Sequence, residues 1–193
     1  MIHVNTLAEH GRNLAPQDAA LFGDDAAAQV ARYLARRSEY APTPVTRLRA
    51  LAAETGVGEV TIKDEGQRLG LGSFKALGGA YAVARVALEH ASARLRRRLD
   101  IEQLDEPQTR AALDDLTVAC ATDGNHGRSV AQGARLLGAR SVIFVHAGVS
   151  AERAAAIARF GARIVRVEGN YDDSVAEAAR VAAAKGWRVV SDT

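Results

Sequence analysis

One cysteine, Cys120, stands in 193 residues, so an intrachain disulfide is excluded and a reducing compartment, the cytoplasm, is expected. Aromatic residues make up only 5%, and the formal net charge is +2 from 25 basic and 23 acidic side chains. Neither supplies the basic face or the stacking rings that hold nucleic acid, so no nucleic-acid partner is expected. No apolar run is long enough to span a bilayer, and residues 1–20 lack the basic, apolar, small-residue order of a secretory leader, so no membrane partner is expected either. There is no low-complexity tract and no sequence repeat. No Gly-x-Gly-x-x-Gly opens a helix, which argues against a dinucleotide enzyme. His126 has no second ligand at a metal spacing, and no metal is expected. What is present is the balance of an ordinary globular chain, 48% hydrophobic and 25% charged, and its length suffices for a sizeable core.

The first fifteen residues read as irregular, Pro16 as a helix start, and residues 25–37 as a helix. Pro42 and Pro44 bias their predecessors to extended backbone. A short helix over 49–54 is closed by Gly56 and Gly58, a β-branched strand follows at 60–62, and an alanine-rich helix at 76–91. The basic run Arg94 to Arg98 reads as a solvated helix face rather than an anion site, because no aromatics interleave it. The charged stretch that follows, to Asp115, reads as a surface insertion. From 116 the pattern alternates regularly: strands at 116–122, 141–146, 162–167 and 188–191, with helices at 125–137, 151–160 and 172–185 between them. Apolar strands separated by helices of this length predict an α/β fold with a doubly wound, mostly parallel sheet. The expected organisation is an N-terminal lobe over 1–92, an insertion or linker over 93–115, and a small parallel-sheet lobe over 116–193. A stop directly after a strand leaves the expected sheet incomplete at its C-terminus.

Two loops carry the chemistry. In the first, Gly70, Gly72 and Ser73 lead into the helix that begins near Lys75. Ser73 is the expected N-cap, which places a lysine in the first helical turn, where the positive end of the helix dipole disfavours a cation. Local rules are broken most often at functional sites. An ammonium held there, partly shielded by Phe74, would lose its proton more readily and become an amine nucleophile for a carbonyl. That is what a Schiff-base lysine needs. The bland alternative is a lysine whose stem snorkels into water.

The second loop, Asp123-Gly124-Asn125-His126-Gly127, follows a strand and opens a helix, where ligands bind in open α/β sheets. Gly124 and Gly127 are expected to let backbone approach a ligand, and Asn125 offers a donor and an acceptor. Asp123 judged alone reads first as a helix cap.

Taken together, Pro42-Thr43-Pro44, Ser73-Phe74-Lys75 and Asp123 to Gly127 resemble the fold-type II pyridoxal-phosphate enzymes, the group with the tryptophan synthase β-like fold. Lys63-Asp64-Glu65, the run Phe74 to Tyr81, the run Ala121 to Arg128, and Asn170-Tyr171-Asp172-Asp173 narrow the likeness to the diaminopropionate ammonia-lyases. The resemblance implies pyridoxal phosphate bound as a Schiff base on Lys75, contacts from Phe74, Gly124 and Asn125, and a hydrogen bond from Asn125 to the cofactor's 3′ oxygen. It implies that Asp123, standing where hydroxy-amino-acid dehydratases carry serine, pairs with a substrate ammonium or serves as base at the α-carbon. Asp192 matches a second acidic position of the group, and otherwise reads as an ordinary strand-end acid. The implied reaction is α,β-elimination of 2,3-diaminopropionate, a small amino-acid substrate, to pyruvate and ammonia. A serine/threonine dehydratase-like lyase, or a silent fragment or interaction module, are the competing readings. Members of the group are much longer, and their glycine-rich phosphate loop lies in the later part. This chain therefore resembles an N-terminal half, and as a truncated enzyme it could be inactive alone. Apolar surface left by an incomplete sheet favours association, with a homodimer as the expected form.

Overall fold

Proline in its first turn starts α1 (Pro16–Phe22), and Gly23 separates it from α2 (Asp24–Ala35). The structure, a computed structural model, describes residues 4–192. The chain continues through β1 (Val45–Arg47), α3 (Arg49–Thr55) and β2 (Thr61–Lys63). Strands β1 and β2 form an antiparallel ribbon with Thr46 opposite Ile62. Sequence reading missed β1: it is three residues long, exposed throughout, and so carries no inside–outside alternation.

Next come α4 (Lys75–Leu95), α5 (Pro107–Ala111), β3 (Thr117–Ala121), α6 (Asn125–Leu137), β4 (Arg140–His146), α7 (Ala151–Ala158), β5 (Arg163–Val167), α8 (Tyr171–Lys185) and β6 (Arg188–Val189). The main sheet runs β5-β4-β3-β6, all parallel. Its residues alternate between two apolar layers, as the pleat requires. Val118, Cys120, Ile143 and Val145 join the core containing α6 and α7, whereas Ala119, Ala121, Val142 and Phe144 pack against α8. Helices on both faces of a parallel sheet make the fold α/β and doubly wound, as expected.

The helix that begins at the lysine is docked tightly against α6. Its buried residues Ala76, Gly79, Ala80, Val83, Ala84, Ala87, Leu88 and Ala91 follow the 3.6-residue period and are nearly all small. Small side chains let the two helices approach closely. A Cβ added to Gly133 of α6 would lie 2.9 Å from the Ala80 Cα, and one on Gly79 would lie 2.6 Å from the Ser129 Oγ. The Ser129 hydroxyl accepts from the Ala80 amide at 2.9 Å and donates to the Ala76 carbonyl at 3.3 Å. It thus grips the first turns of α4 and fixes Lys75 relative to the loop that opens α6.

The stretch 93–115 is not a surface insertion. Leu99, Ile101, Leu104, Ala112 and Leu113 enter the core shared by α4 and α6. The charges that suggested exposure lie on the outer side, where Arg94 meets Asp114 at 2.8 Å and Arg97 meets Glu106 at 3.0 Å. Apolar residues spaced between those charges supply an inward face, so the lobes expected at 1–92 and 116–193 share one core. Among the described residues, no helix is long and apolar enough to cross a membrane.

A polar knot anchors the loop between β2 and α4. The buried Arg68 guanidinium donates to Glu65 through Nε at 2.6 Å, to the Ala41 carbonyl at 2.8 Å and to Thr43 Oγ1 at 2.8 Å. Lys63 donates to the Thr43 carbonyl at 2.6 Å. Hydrogen bonds from Arg68 and then Thr43 hold the Glu65 carboxyl well below its ordinary 4.5, at about 2. A carboxyl lowered on folding stabilises the fold above its unfolded value and loses that contribution as pH falls through the folded one. Thermal melts should therefore show stability declining between pH 4.5 and about 2, and Glu65→Gln should flatten that decline. An identical acid slope in the variant would show that the knot contributes nothing.

Candidate functional site

Strand β3 ends at the carboxyl edge of the sheet, and the turn into α6 is built by one hydroxyl. Buried Thr122 accepts through Oγ1 from the amides of Gly124 at 3.0 Å and Gly127 at 3.1 Å. Gly124 has φ +153, a conformation that L side chains rarely adopt. Gly127 serves packing rather than approach to a ligand. A Cβ there would lie 2.4 Å from Thr122 Cγ2 and 3.0 Å from Ile143 Cγ2. The turn leaves Asn125 exposed at the first position of α6, and among the described residues its side chain has no hydrogen-bond partner.

A cavity of about 590 Å³ opens over this turn. Lys75, Asp123, Gly124, Asn125 and Asp192 all line it, so the structure brings together five of the six site residues expected from sequence. The starts of four helices also meet there. Lys75 is the first residue of α4, Asn125 of α6 and Tyr171 of α8, and Ser150 is the N-cap of α7, accepting from the Arg153 amide at 3.3 Å. Four positive dipole ends around one space suit an anionic ligand.

Lys75 Nζ donates to Asp192 Oδ2. The Asp192 carboxylate thus answers the helix dipole that made the lysine look misplaced. Burial by itself pushes the Asp192 carboxyl up, but the Lys75 hydrogen bond, with the charges of His126 and Lys75, holds it below the usual carboxylate range. His126, 5% exposed, presents Nε2 to the Val190 carbonyl at 2.8 Å, a contact in which the nitrogen must donate. Its Nδ1 lies 3.9 Å from Asp192 Oδ2. His126 therefore ties the opening of α6 to the segment after β6.

Phe74 is the sixth expected residue and stays outside. It is 64% exposed and does not line the cavity. Successive residues at a helix start project about 100° apart, and here Lys75 is the one turned to the cavity. Phe74, not Ser73, occupies the N-cap position, and the Ser73 hydroxyl accepts from the Lys75 amide at 3.3 Å.

Sequence reasoning missed three members. Tyr171 lines the cavity, and burial followed by the charges of Asp192 and Asp123 pushes its phenol up. Arg128 also lines the cavity, with its buried Nε lacking a partner among the described residues. His146, at the end of β4, meets Asp123 Oδ1 at 3.0 Å. Tyr171 and Arg128 stood within the quoted motifs. Nothing in the sequence marked His146, because its contact crosses from β4 to the loop after β3. Among the described residues, no three metal-ligating side chains are grouped together. Burial pushes the Cys120 thiol far up, which leaves no nucleophile there.

A primary amine beside a carboxylate, an unengaged amide and a ring of helix starts over the carboxyl ends of parallel strands mark a ligand site of an α/β fold centred on a lysine. The sequence profile of "Pyridoxal-phosphate dependent enzyme" matches residues 24–193, and the chain belongs to that family. It is 40% identical over 174 residues to the diaminopropionate ammonia-lyase of Escherichia coli strain K12, covering 90% of this chain and 42% of that protein. The crystal structure of the Escherichia coli diaminopropionate ammonia lyase in apo form superposes with a TM-score of 0.76 at 38% identity, over 94% of this chain and 47% of that one. The same enzyme in complex with D-serine gives 0.71 at 40% identity, over 86% and 42%. The chain thus spans less than half the length of these relatives.

Proposed function

We propose that this protein carries the lysine-bearing part of a pyridoxal-phosphate lyase, which eliminates ammonia from 2,3-diaminopropionate to give pyruvate and a second ammonia. The observation that supports it most is the Lys75 amine, held by Asp192 in a cavity it shares with Asn125 and Asp123. These residues fit the cofactor's reactive end: an amine to take a carbonyl carbon, and an amide with no other partner among the described residues to meet the 3′ oxygen. When bound, pyridoxal phosphate supplies the electron sink that lets an amino acid release its α-proton.

The chain's own groups have separable tasks. Lys75 would hold the cofactor through its amine and could carry protons at Nζ. Asp192 keeps that nitrogen at the cavity wall. Asp123, an exposed carboxylate on the rim, receives the substrate's second ammonium or takes the α-proton. Tyr171, its phenol pushed up by burial, is a proton donor available on the cavity wall. Helix starts around the space favour the substrate carboxylate. A cytoplasmic setting and a homodimer belong to the same proposal, supported by the lone cysteine and by exposed apolar residues such as Phe22 and Ile62.

A second reading, a serine dehydratase, is favoured by 31% identity over 127 residues to a probable D-serine dehydratase of Rhizobium leguminosarum, covering 65% of this chain and 29% of that protein. Coupled assays of pyruvate and ammonia separate the two. The ammonia-lyase reading expects release from 2,3-diaminopropionate, with Asp123→Ser lowering it about 100-fold and shifting preference toward serine. Turnover of serine alone by the unaltered protein would overturn it in favour of the dehydratase. Release from neither substrate would leave a silent module.

A further inference from the structure

His146 stands outside the cavity lining yet touches one of its carboxylates, and its two ring nitrogens are both spoken for. The Gly148 amide donates to His146 Nδ1 at 3.1 Å. A backbone N–H can only donate, so Nδ1 must be the accepting nitrogen and the ring proton must sit on Nε2. Nε2 lies 3.0 Å from Asp123 Oδ1 and is therefore oriented to donate to it. Position 148 has to be small for this to happen. A Cβ there would lie 2.9 Å from His146 Cε1 and 3.1 Å from Nδ1. Among the described residues, Asp123 Oδ2 accepts no hydrogen bond, and Asp123 lines the cavity.

We propose that His146 is a positioning residue for Asp123: as a neutral ring locked by the Gly148 amide, it occupies Oδ1 and leaves Oδ2 to receive the ammonium of a diamino substrate. The inference rests on the lyase reading for its substrate, but its geometry can be tested without catalysis. An anchored carboxylate with one free oxygen loses less freedom on meeting an ammonium than one that rotates in water. A hydroxyl in place of the ammonium gains less from that anchoring, because its hydrogen bond to the carboxylate lacks the charge on the donor. His146 would therefore bias the site toward diamino acids over hydroxy amino acids.

Nitrogen-15 spectra of the imidazole in mildly alkaline buffer read the tautomer of the full chain. The expected result is a proton on Nε2 whose signal shifts in Asp123→Asn. A proton on Nδ1, or an Nε2 signal indifferent to that substitution, overturns the proposal. Calorimetric titration of the chain loaded with pyridoxal phosphate then compares 2,3-diaminopropionate with serine. His146→Phe, similar in shape but without a donor, should weaken the diamino acid relative to serine about fivefold. His146→Gln, whose amide can reach the same oxygen, should stay within about twofold of the unaltered protein. Unchanged selectivity in His146→Phe overturns the proposal. Failure of Lys75 to take up the cofactor would strike the lyase reading alone, and the imidazole spectrum would still decide this one.

Discussion

Lys75→Ala should leave the protein unable to form a borohydride-reducible visible chromophore with pyridoxal phosphate, and any turnover should fall by about a thousandfold or more. Loss of the Lys75 side chain removes a contact with Asp192 and part of a half-covered stem at the cavity wall, not a member of the core. The fold should therefore persist by circular dichroism. Lys75→Arg sharpens the test. A guanidinium keeps the positive charge and can still pair with Asp192, yet it does not deprotonate to attack a carbonyl. If Lys75→Arg also lacks the chromophore while melting like the unaltered protein, the role belongs to the amine rather than to the ion pair. A chromophore that survives in Lys75→Ala, on another lysine, would end the reading.

Gly133→Leu should destabilise the protein by about 3 kcal/mol and lower its urea midpoint by about 1 M or more. The obstacle to a side chain is backbone: a Cβ at this position lies 2.9 Å from the Ala80 Cα and 3.2 Å from the Val83 Cβ. A flexible neighbour could swing aside, but here the whole of α4 must shift, together with the Ser129 grip on its first turns. Cofactor uptake should weaken along with stability, since Lys75 is carried by that helix. A midpoint within a few tenths of a molar of the unaltered protein would mean that the two helices are not as closely packed as the geometry requires.

The parallel sheet was legible because β3 and β4 are short apolar runs and the helices between strands are closed by Gly138, Gly161 and Gly186. The α6 limits, Asn125 and Leu137, coincide with the pattern's own, closed by Gly138 in the left-handed region. Lys75 and the asparagine loop were legible because each breaks a local preference or offers functional groups at a strand end. Phe74 was named as a cofactor contact through the resemblance alone, and in this structure its ring is exposed and off the cavity lining. The insertion was misread because its charges are more conspicuous than the leucines between them. His146 was invisible for a different reason: its partner is set by the pairing of β3 with β4, which no local pattern encodes.

Lys75 and Asp192 are 117 positions apart, and Asp192 follows β6, a strand of two residues that among the described residues pairs only with β3. Contacts of such long range form late, after the intervening loops have closed, and short border strands are where native proteins open first. Assembly of the site should therefore be the closing step of folding and its loss the opening step of unfolding. Hydrogen exchange would see this as backbone amides at 188–190 trading with solvent while those of β3 and β4 remain protected.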